Sequence, residues 1–299
     1  MIRVFSVALF LLLLSSCAKP ITANQELFLK AKFKPNILKI YNSPISSYKS
    51  DASWTTYKKH ILTNAKLKRA RKFLVEYKDT LSRAENIYHV EKEYIAAFIA
   101  IESDFGNYTG ESNIFDALTT LAFHKNRKQD FFKYELDEFL TLSDEKGWNP
   151  LKQYGSFAGA MGCVQQLPSV HRKYGVDFNN DGKKDLFDLE DCIGTIANFM
   201  YQNGWEVDRQ VAIRASFKGK RYKGLETGYN KIYSLSTLKN HGINPRQPFT
   251  QKTATLLQLR DTTHHELWLG LKNMQIITTY NNSTNYGMAI YKFATKLQD

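Results

Sequence analysis

The sequence predicts an α+β protein that is mostly α: a large helical body with a small α/β lobe. Three observations carry that expectation. Residues 64–88 place Leu67, Ala70, Leu74, Tyr77, Leu81, Ala84 and Tyr88 close to the 3.6-residue spacing of one helix face. The segment 94–105, with the unbroken run 95-IAAFIAI-101, is apolar on every side, as a helix at the centre of a fold must be. Beyond Gly204 the texture changes to turns and short β-like runs such as 266-ELWLGLKN-273.

Taken in order, the chain opens with a short basic start, Met1-Ile2-Arg3, and an apolar run from Val4 to Leu14. That run is too short to span a bilayer and reads as the core of a signal peptide, residues 1–16. It ends in 14-LSSC-17, which resembles the lipobox of bacterial lipoproteins. The resemblance implies cleavage before Cys17 and lipid attachment to it, so the expected place is a membrane surface outside the cytoplasm. Ala18 in the next position points to the periplasmic face of an outer membrane. Residues 17–50 contain Pro20, Pro35, Pro44 and the polar run 42-NSPISSYKS-50, and read as a tether with an N-terminal helical segment. A helical core over 51–204 follows, with helical patterns from Trp54 to about Ala122, at 129–144 and at 189–203. The small lobe occupies 205–275 and a C-terminal segment 276–299. There are no internal repeats and no second apolar run long enough to cross a membrane.

At 299 residues with 43% hydrophobic and 13% aromatic residues, the chain can bury a sizeable core. The formal charge is +12, and Lys58, Lys59, Lys66, Lys68, Arg69, Arg71 and Lys72 form a basic run. An exported basic protein does not meet nucleic acid where it works, so anionic wall polymer or a membrane surface is the expected partner. A run of this kind also serves as a solvated helix face. Of three cysteines, a lipidated Cys17 leaves Cys163 and Cys192 in an oxidising compartment, either paired or buried and reduced.

The apolar run 95–101 ends on a carboxylate, Glu102. Burial disfavours the charged form, so the Glu102 pKa is expected to rise, which suits a general acid for a glycosidic oxygen. Asp104, two residues on, falls on another side of a helix and makes no pair with it. Hydrolysing glycosidases by the usual routes need two carboxylates; a lone acid fits a substrate that carries its own nucleophile. Alone, a helix-end glutamate is more often simply solvated. The segment 155-GSFAGAMGCVQQLPS-169 adds weight: Gly155, Gly159 and Gly162 leave the backbone bare for a ligand, and Ser156 and Gln165 suit sugar hydroxyls or an acetamido group. Small residues also serve close packing of the chain on itself.

The motifs IESDFG, SFAGAMGxxQxxPS and 280-YNNSTNYGMAI-290, in this order, resemble those of the membrane-bound lytic murein transglycosylase B family, over about Trp54 to Ala294. The resemblance implies a lysozyme-like helical catalytic core, and cleavage of the MurNAc–GlcNAc β-1,4 bond of peptidoglycan without water. Glu102 matches the family's single acid, then base. Tyr57, Ser156, Gln165, Tyr280, Asn281 and Tyr286 fall on cleft positions. Arg127 matches a basic position near substrate, with Lys128 in place of a second Arg and without its forked geometry. Cys163-Val164 replace a common Tyr-Gly, and Phe131 and Phe199 stand where Tyr is expected. The implied partners are glycan strands, the membrane and other wall enzymes. A muramidase hydrolysing the same bond, or a wall-binding protein without activity, are the alternatives.

The stretch 177-DFNNDGKKDLFDLED-191 places oxygen donors at calcium-loop spacing: Asp177, Asn179, Asp181 and the carbonyl of Lys183, with Gly182 at the sixth position. The family's slightly longer EF-hand-like loop implies closure by Asp191; spacing alone leaves Asp188 as the alternative. Calcium here is expected to be structural, with no catalytic cofactor. His264-His265 lacks a metal partner at suitable spacing, and no Ser-His-Asp motif, phosphate loop or Cys-rich zinc pattern is present.

Overall fold

The structure, a computed structural model, describes residues 23–42, 53–248, 250–261 and 264–298. The signal peptide, Cys17 and the remainder of the expected tether lie outside the described residues. In chain order the helices and strands begin with α1 (Ala23–Leu29), α2 (Pro35–Asn42), α3 (Trp54–Ile61), α4 (Asn64–Glu76), α5 (Lys78–Tyr88) and α6 (Lys92–Ser103). Then come β1 (Ser112–Asn113), α7 (Ile114–Phe123), α8 (Gln129–Lys146), β2 (Tyr154–Gly155), α9 (Pro168–Tyr174) and α10 (Leu189–Gln202). The last third holds β3 (Ala212–Phe217), β4 (Ile232–Ser234), α11 (Leu235–Asn240), β5 (Ile243–Pro245), β6 (Thr253–Arg260) and β7 (His265–Gly270). Two helices, α12 (Lys272–Tyr280) and α13 (Thr284–Gln298), complete the chain.

These elements form two compact units: the described residues of Met1–Ser43 with Gly110–Ala160, and those of Pro44–Thr109 with Met161–Asp299. The stretch 51–204, expected to be one core, is therefore divided. In the first unit α7 and α8 pack together, and α2 lies on α7. Phe28 of α1 meets Phe115 and Phe123 at centroid distances of 5.5 and 5.7 Å, and Ile37 of α2 is buried. The helices α1 and α2 are thus packed, because their apolar side chains find a partner in α7. The antiparallel pair Ser112↔Gly155 and Asn113↔Tyr154 closes the unit, and Asn113 caps α7 by accepting from the Asp116 N–H at 3.0 Å.

The second unit is built around α6. Tyr94 through Ala100 are all buried, and α4, α5, α10 and α13 pack on α6. An isolated helix with this composition would expose apolar residues on every side; here each side has a covering helix. The 64–88 pattern is two helices, α4 and α5, broken at Tyr77, whose backbone (φ −105°, ψ 27°) leaves the helical region for one residue. The sheet has the order β4-β6-β7-β3-β5, antiparallel throughout, with Leu256 opposite Leu269 and Leu257 opposite Trp268. One face, with Ile213, Leu256, Leu267 and Leu269, packs on Leu238 and Tyr222 of its own lobe. The other, with Leu257, Leu259 and Trp268, joins the helical core.

Candidate active site

The C-terminal end of α6 carries Glu102. The helix stops because Asp104 and Phe105 adopt left-handed conformations (φ 50° and 62°), and Gly106 continues the turn at φ 80°. Three contacts fix this end. Arg69 of α4 grips the Asp104 carboxylate with two nitrogens, Nε to Oδ1 at 3.0 Å and Nη2 to Oδ2 at 2.9 Å. The Ser103 hydroxyl donates to the Cys163 carbonyl at 2.6 Å and accepts from the Gly106 N–H at 2.8 Å. The Asp104 N–H donates to the Ala100 carbonyl at 3.1 Å. Asp104 is therefore committed to Arg69 and is no partner for Glu102.

Aromatic side chains surround the Glu102 carboxyl. Tyr286 of α13 donates its hydroxyl to Glu102 Oε1 at 2.5 Å. Phe98, one turn before Glu102, meets Tyr280 and Tyr286 edge-on at 5.2 and 6.2 Å. Burial in this setting pushes the Glu102 pKa up from 4.5 to about 7, while the Tyr286 hydrogen bond pulls it down. Tyr57 of α3 is raised to about 12 by burial and then by the charge of Glu102. Tyr280 and Tyr286 are both raised well above the usual phenol range, burial first and Glu102 next. Glu102 as a whole is intermediate in exposure rather than fully buried. Within this unit the described residues bring no second carboxylate to it: burial and Tyr286 are what move it.

Of the residues expected to line the site, Tyr57, Tyr280 and Tyr286 gather at Glu102. Tyr286, expected to contact the sugar, is only 3% exposed and spends its hydroxyl on the acid. Tyr280 donates its hydroxyl to the Val164 carbonyl. Gln165 sits at the tip of the loop that Ser103 holds; its backbone is left-handed (φ 48°) and its Nε2 donates to the carbonyls of Thr109 at 2.8 Å and Gly162 at 2.9 Å. Reciprocal backbone bonds between Met161 and Gln166, at 2.9 and 3.1 Å, close this loop. Asn281 is exposed just beyond α12. Arg127, Lys128 and Ser156 belong to the first unit. Arg127 and Lys128 are exposed just before α8, with Lys128 Nζ 5.4 Å from the Phe131 ring centre. The Ser156 hydroxyl accepts from the N–H groups of Ala158 and Ala160 at 3.3 and 3.0 Å, turning its own loop.

Of the two readings of the glycines, backbone bared for a ligand or close packing of the chain on itself, Gly155 and Gly162 show the second. A Cβ at Gly162 would lie 2.1 Å from the Leu186 carbonyl oxygen, and one at Gly155 2.3 Å from that of Ala160. Phe199, which stands where Tyr is expected, is 4% exposed and packs edge-on against Tyr280 at 4.9 Å, so it props Tyr280. Sequence reasoning missed Arg69, Ser103 and Phe98. Phe98 was within reach, since it lies four residues before Glu102 on the same helix face.

Cys163 and Cys192 form a disulfide with Cα atoms 6.3 Å apart. The bond ties the Gln165 loop to the start of α10, and so to the loop 177–191. There, Asp177 Oδ1 and Oδ2 accept from the N–H groups of Asp181 and Gly182 at 3.1 and 2.8 Å, and Asn179 Oδ1 also accepts from Asp181 N–H. Asp188 caps α10, its Oδ1 accepting from Glu190 and Asp191 N–H at 2.9 and 3.0 Å. Asp191 instead reaches back into the loop, accepting from Phe178 N–H at 2.6 Å and Asp185 N–H at 2.6 Å. Burial raises its pKa, against the pull of those backbone bonds. Among the described residues no three His, Cys, Asp or Glu side chains already converge as a metal cage. The donors are nonetheless all oxygens, and Gly182 takes the positive φ (87°) that the sixth position of such a loop needs, so the residues fit a hard cation.

Comparison with known proteins places the chain in a family. The family model described as Transglycosylase SLT domain matches residues 20–295. Membrane-bound lytic murein transglycosylase B of Escherichia coli strain K12 is 36% identical over 275 residues, covering 90% of this chain and 75% of that protein. The structure of E. coli lytic transglycosylase Slt35 in complex with calcium superposes with a TM-score of 0.83 at 35% identity, over 92% of this chain and 86% of that one. Soluble lytic transglycosylase SltB1 of Pseudomonas aeruginosa gives a TM-score of 0.84 at 33% identity, over 92% and 91% of the two chains. With a raised acid at the end of a buried helix, a lysozyme-like helical frame and a family match along nearly its whole length, this chain belongs to the SLT-domain lytic transglycosylases.

Proposed function

We propose that this enzyme cleaves the MurNAc–GlcNAc β-1,4 bond of peptidoglycan without water, leaving 1,6-anhydro-MurNAc ends. The observation that carries the reading is the single carboxyl group of Glu102, with a pKa near 7 and no second carboxylate beside it in its unit. Protonated Glu102 gives its proton to the bridging oxygen as the C1–O bond breaks, releasing the GlcNAc 4-hydroxyl. The carboxylate so formed accepts the Tyr286 hydroxyl, then takes the proton of the muramoyl C6 hydroxyl as that oxygen bonds to C1. The proton count closes on the enzyme, and the intramolecular nucleophile draws on proximity rather than on a positioned water. The substrate's N-acetyl group stabilises the positive charge at C1, where a retaining hydrolase would use its second carboxylate.

In this proposal Gln165 and Ser156 orient the sugars, and Arg127 and Lys128 face carboxylates of the substrate. Asp177, Asn179, Asp181, the Lys183 carbonyl and Asp191 hold a structural calcium ion, which supplies rigidity and no chemistry. The calcium named with Slt35 and the all-oxygen donor set support this. Among the described residues no helix is long and apolar enough to cross a membrane. A lipid on Cys17 would anchor the chain at the periplasmic face of the outer membrane, as the sequence suggests and as the words "membrane-bound" in the relative's name support.

Mass spectrometry of the products from purified murein tests the reading. Wild-type protein is expected to yield anhydromuropeptides, and Glu102→Gln to lower their rate by about 10²–10⁴-fold with the fold intact. Ordinary reducing muramic ends would instead identify a hydrolase.

A further inference from the structure

The first unit, which does not carry Glu102, contains a cavity of about 620 Å³ lined by Lys30, Lys32 and Lys34 together with Glu111 and Tyr154. Residues 31–34 are neither helix nor turn, and the sequence 30-KAKFK-34 brings every second side chain, each a lysine, to the cavity. Phe33, between them, stacks on His124 at 4.3 Å. The segment is pinned. Lys32 N–H donates to Asp116 Oδ1 at 2.8 Å, Lys34 N–H to Thr120 Oγ1 at 3.0 Å, and Lys34 Nζ pairs with Asp116 Oδ2 at 3.2 Å. Asp116 is thereby used on both oxygens. Among the described residues, the ammonium groups of Lys30 and Lys32 have no acidic partner, and both are exposed.

Holding like charges on one rigid wall costs repulsion that an anion in the cavity removes. The volume is that of a small-molecule site, too large for a single inorganic anion to fill. Glu111 adds a carboxylate for an ammonium, and the half-exposed Tyr154 ring an apolar face. We propose that this cavity is a second binding site, which takes a short peptide bearing carboxylates and an ammonium: the stem peptide of the glycan strand. The assignment of the stem peptide rests on the function proposed above; the complementarity to a zwitterionic acidic peptide does not.

The test uses the full chain carrying Glu102→Gln, so that strands are bound and not cut, with and without Lys30→Gln/Lys32→Gln. Melting curves check that these exposed substitutions leave the fold unchanged. Affinity is measured for peptide-bearing strands, for strands stripped of peptides by an amidase, for a free synthetic stem tetrapeptide, and for anionic phospholipid vesicles. The double substitution is expected to weaken binding of peptide-bearing strands and of the free peptide at least fivefold, to leave stripped strands unaffected, and Lys30→Arg/Lys32→Arg to restore binding. Equal loss on both kinds of strand, or no loss on either, overturns the proposal. So does loss confined to anionic phospholipid vesicles, which would make the wall a membrane contact. Absence of anhydromuropeptides from the wild type would defeat the functional reading alone, since the free-peptide titration stands apart from it.

Discussion

Glu102 illustrates how one side chain takes both its chemistry and its instability from the same surroundings. Its pKa is near 7 in the fold against an ordinary 4.5, so the folded protein holds this proton more tightly than the unfolded chain. The associated stability is fully present below about pH 4.5 and is lost as pH rises through about 7, a difference on the order of 3 kcal/mol. Glu102→Gln removes the ionisation. Its melting temperature relative to wild type should therefore rise between pH 4 and pH 8, and a constant offset across that range would show that the carboxyl is not desolvated. Tyr286→Phe probes the opposing influence. Losing the donor raises the Glu102 pKa further, so the alkaline limb of kcat should move to higher pH. kcat itself should fall about ten- to a hundredfold, the worth of a hydrogen bond to a charged group. A lower rate with an unmoved pH profile would assign Tyr286 to packing alone.

At the scale of elements, what the sequence disclosed depended on whether the physics was local. The buried helix α6 was legible because an all-round apolar segment has few other places to go. The break at Tyr77 was not, because one non-helical residue hardly disturbs the apolar phase: Leu67, Ala70, Leu81 and Ala84 remain buried across it. The sheet showed little alternation because both its faces are covered, so β6 and β7 are near-continuously buried at their centres. Arg69 and Asp104, 35 residues apart, and Cys163 and Cys192, 29 apart, meet only through tertiary structure, which no motif announces. The 177–191 loop was legible through its spacing, and the roles of its two candidate closing acids separate in the fold: Asp188 caps α10 while Asp191 turns inward. Chelation by EDTA should lower the melting temperature by about 5–10 °C, as removal of a saturating ligand does in a chain of this size. In Asp181→Asn that calcium-dependent difference should shrink, because Asp181 is exposed and, among the described residues, its carboxylate accepts only from the Lys183 N–H. A melting curve indifferent to EDTA in the wild type would mean that no ion is bound.

Over the whole molecule, 41 lysine and arginine residues against 29 aspartate and glutamate leave a charge of +12 for an enzyme whose proposed substrate is an anionic polymer. Part of the basic run 58–72 is structural. Arg69 holds Asp104, Arg71 donates to the Lys296 carbonyl at 3.0 Å, and Lys72 lies 3.9 Å from Glu76. Lys59 and Lys68 remain exposed and add to the long-range field, as do lysines elsewhere in the chain. Attraction of this kind acts over about 10 Å at 0.1 M salt and about 3 Å at 1 M, whereas hydrogen bonds and stacking at a sugar site are barely screened. The two contributions therefore separate by ionic strength. Binding of the Glu102→Gln protein to isolated sacculi should weaken at least tenfold between low and high salt. Cleavage of short, peptide-free glycan strands by the wild type should change far less, because a short strand carries only the lactyl carboxylate of each muramoyl residue, far fewer charges than a sacculus offers the field. Equal salt dependence on both substrates would place the attraction inside the catalytic cleft rather than over the surface. Binding to sacculi that is insensitive to salt would leave the excess charge without a part in reaching the wall.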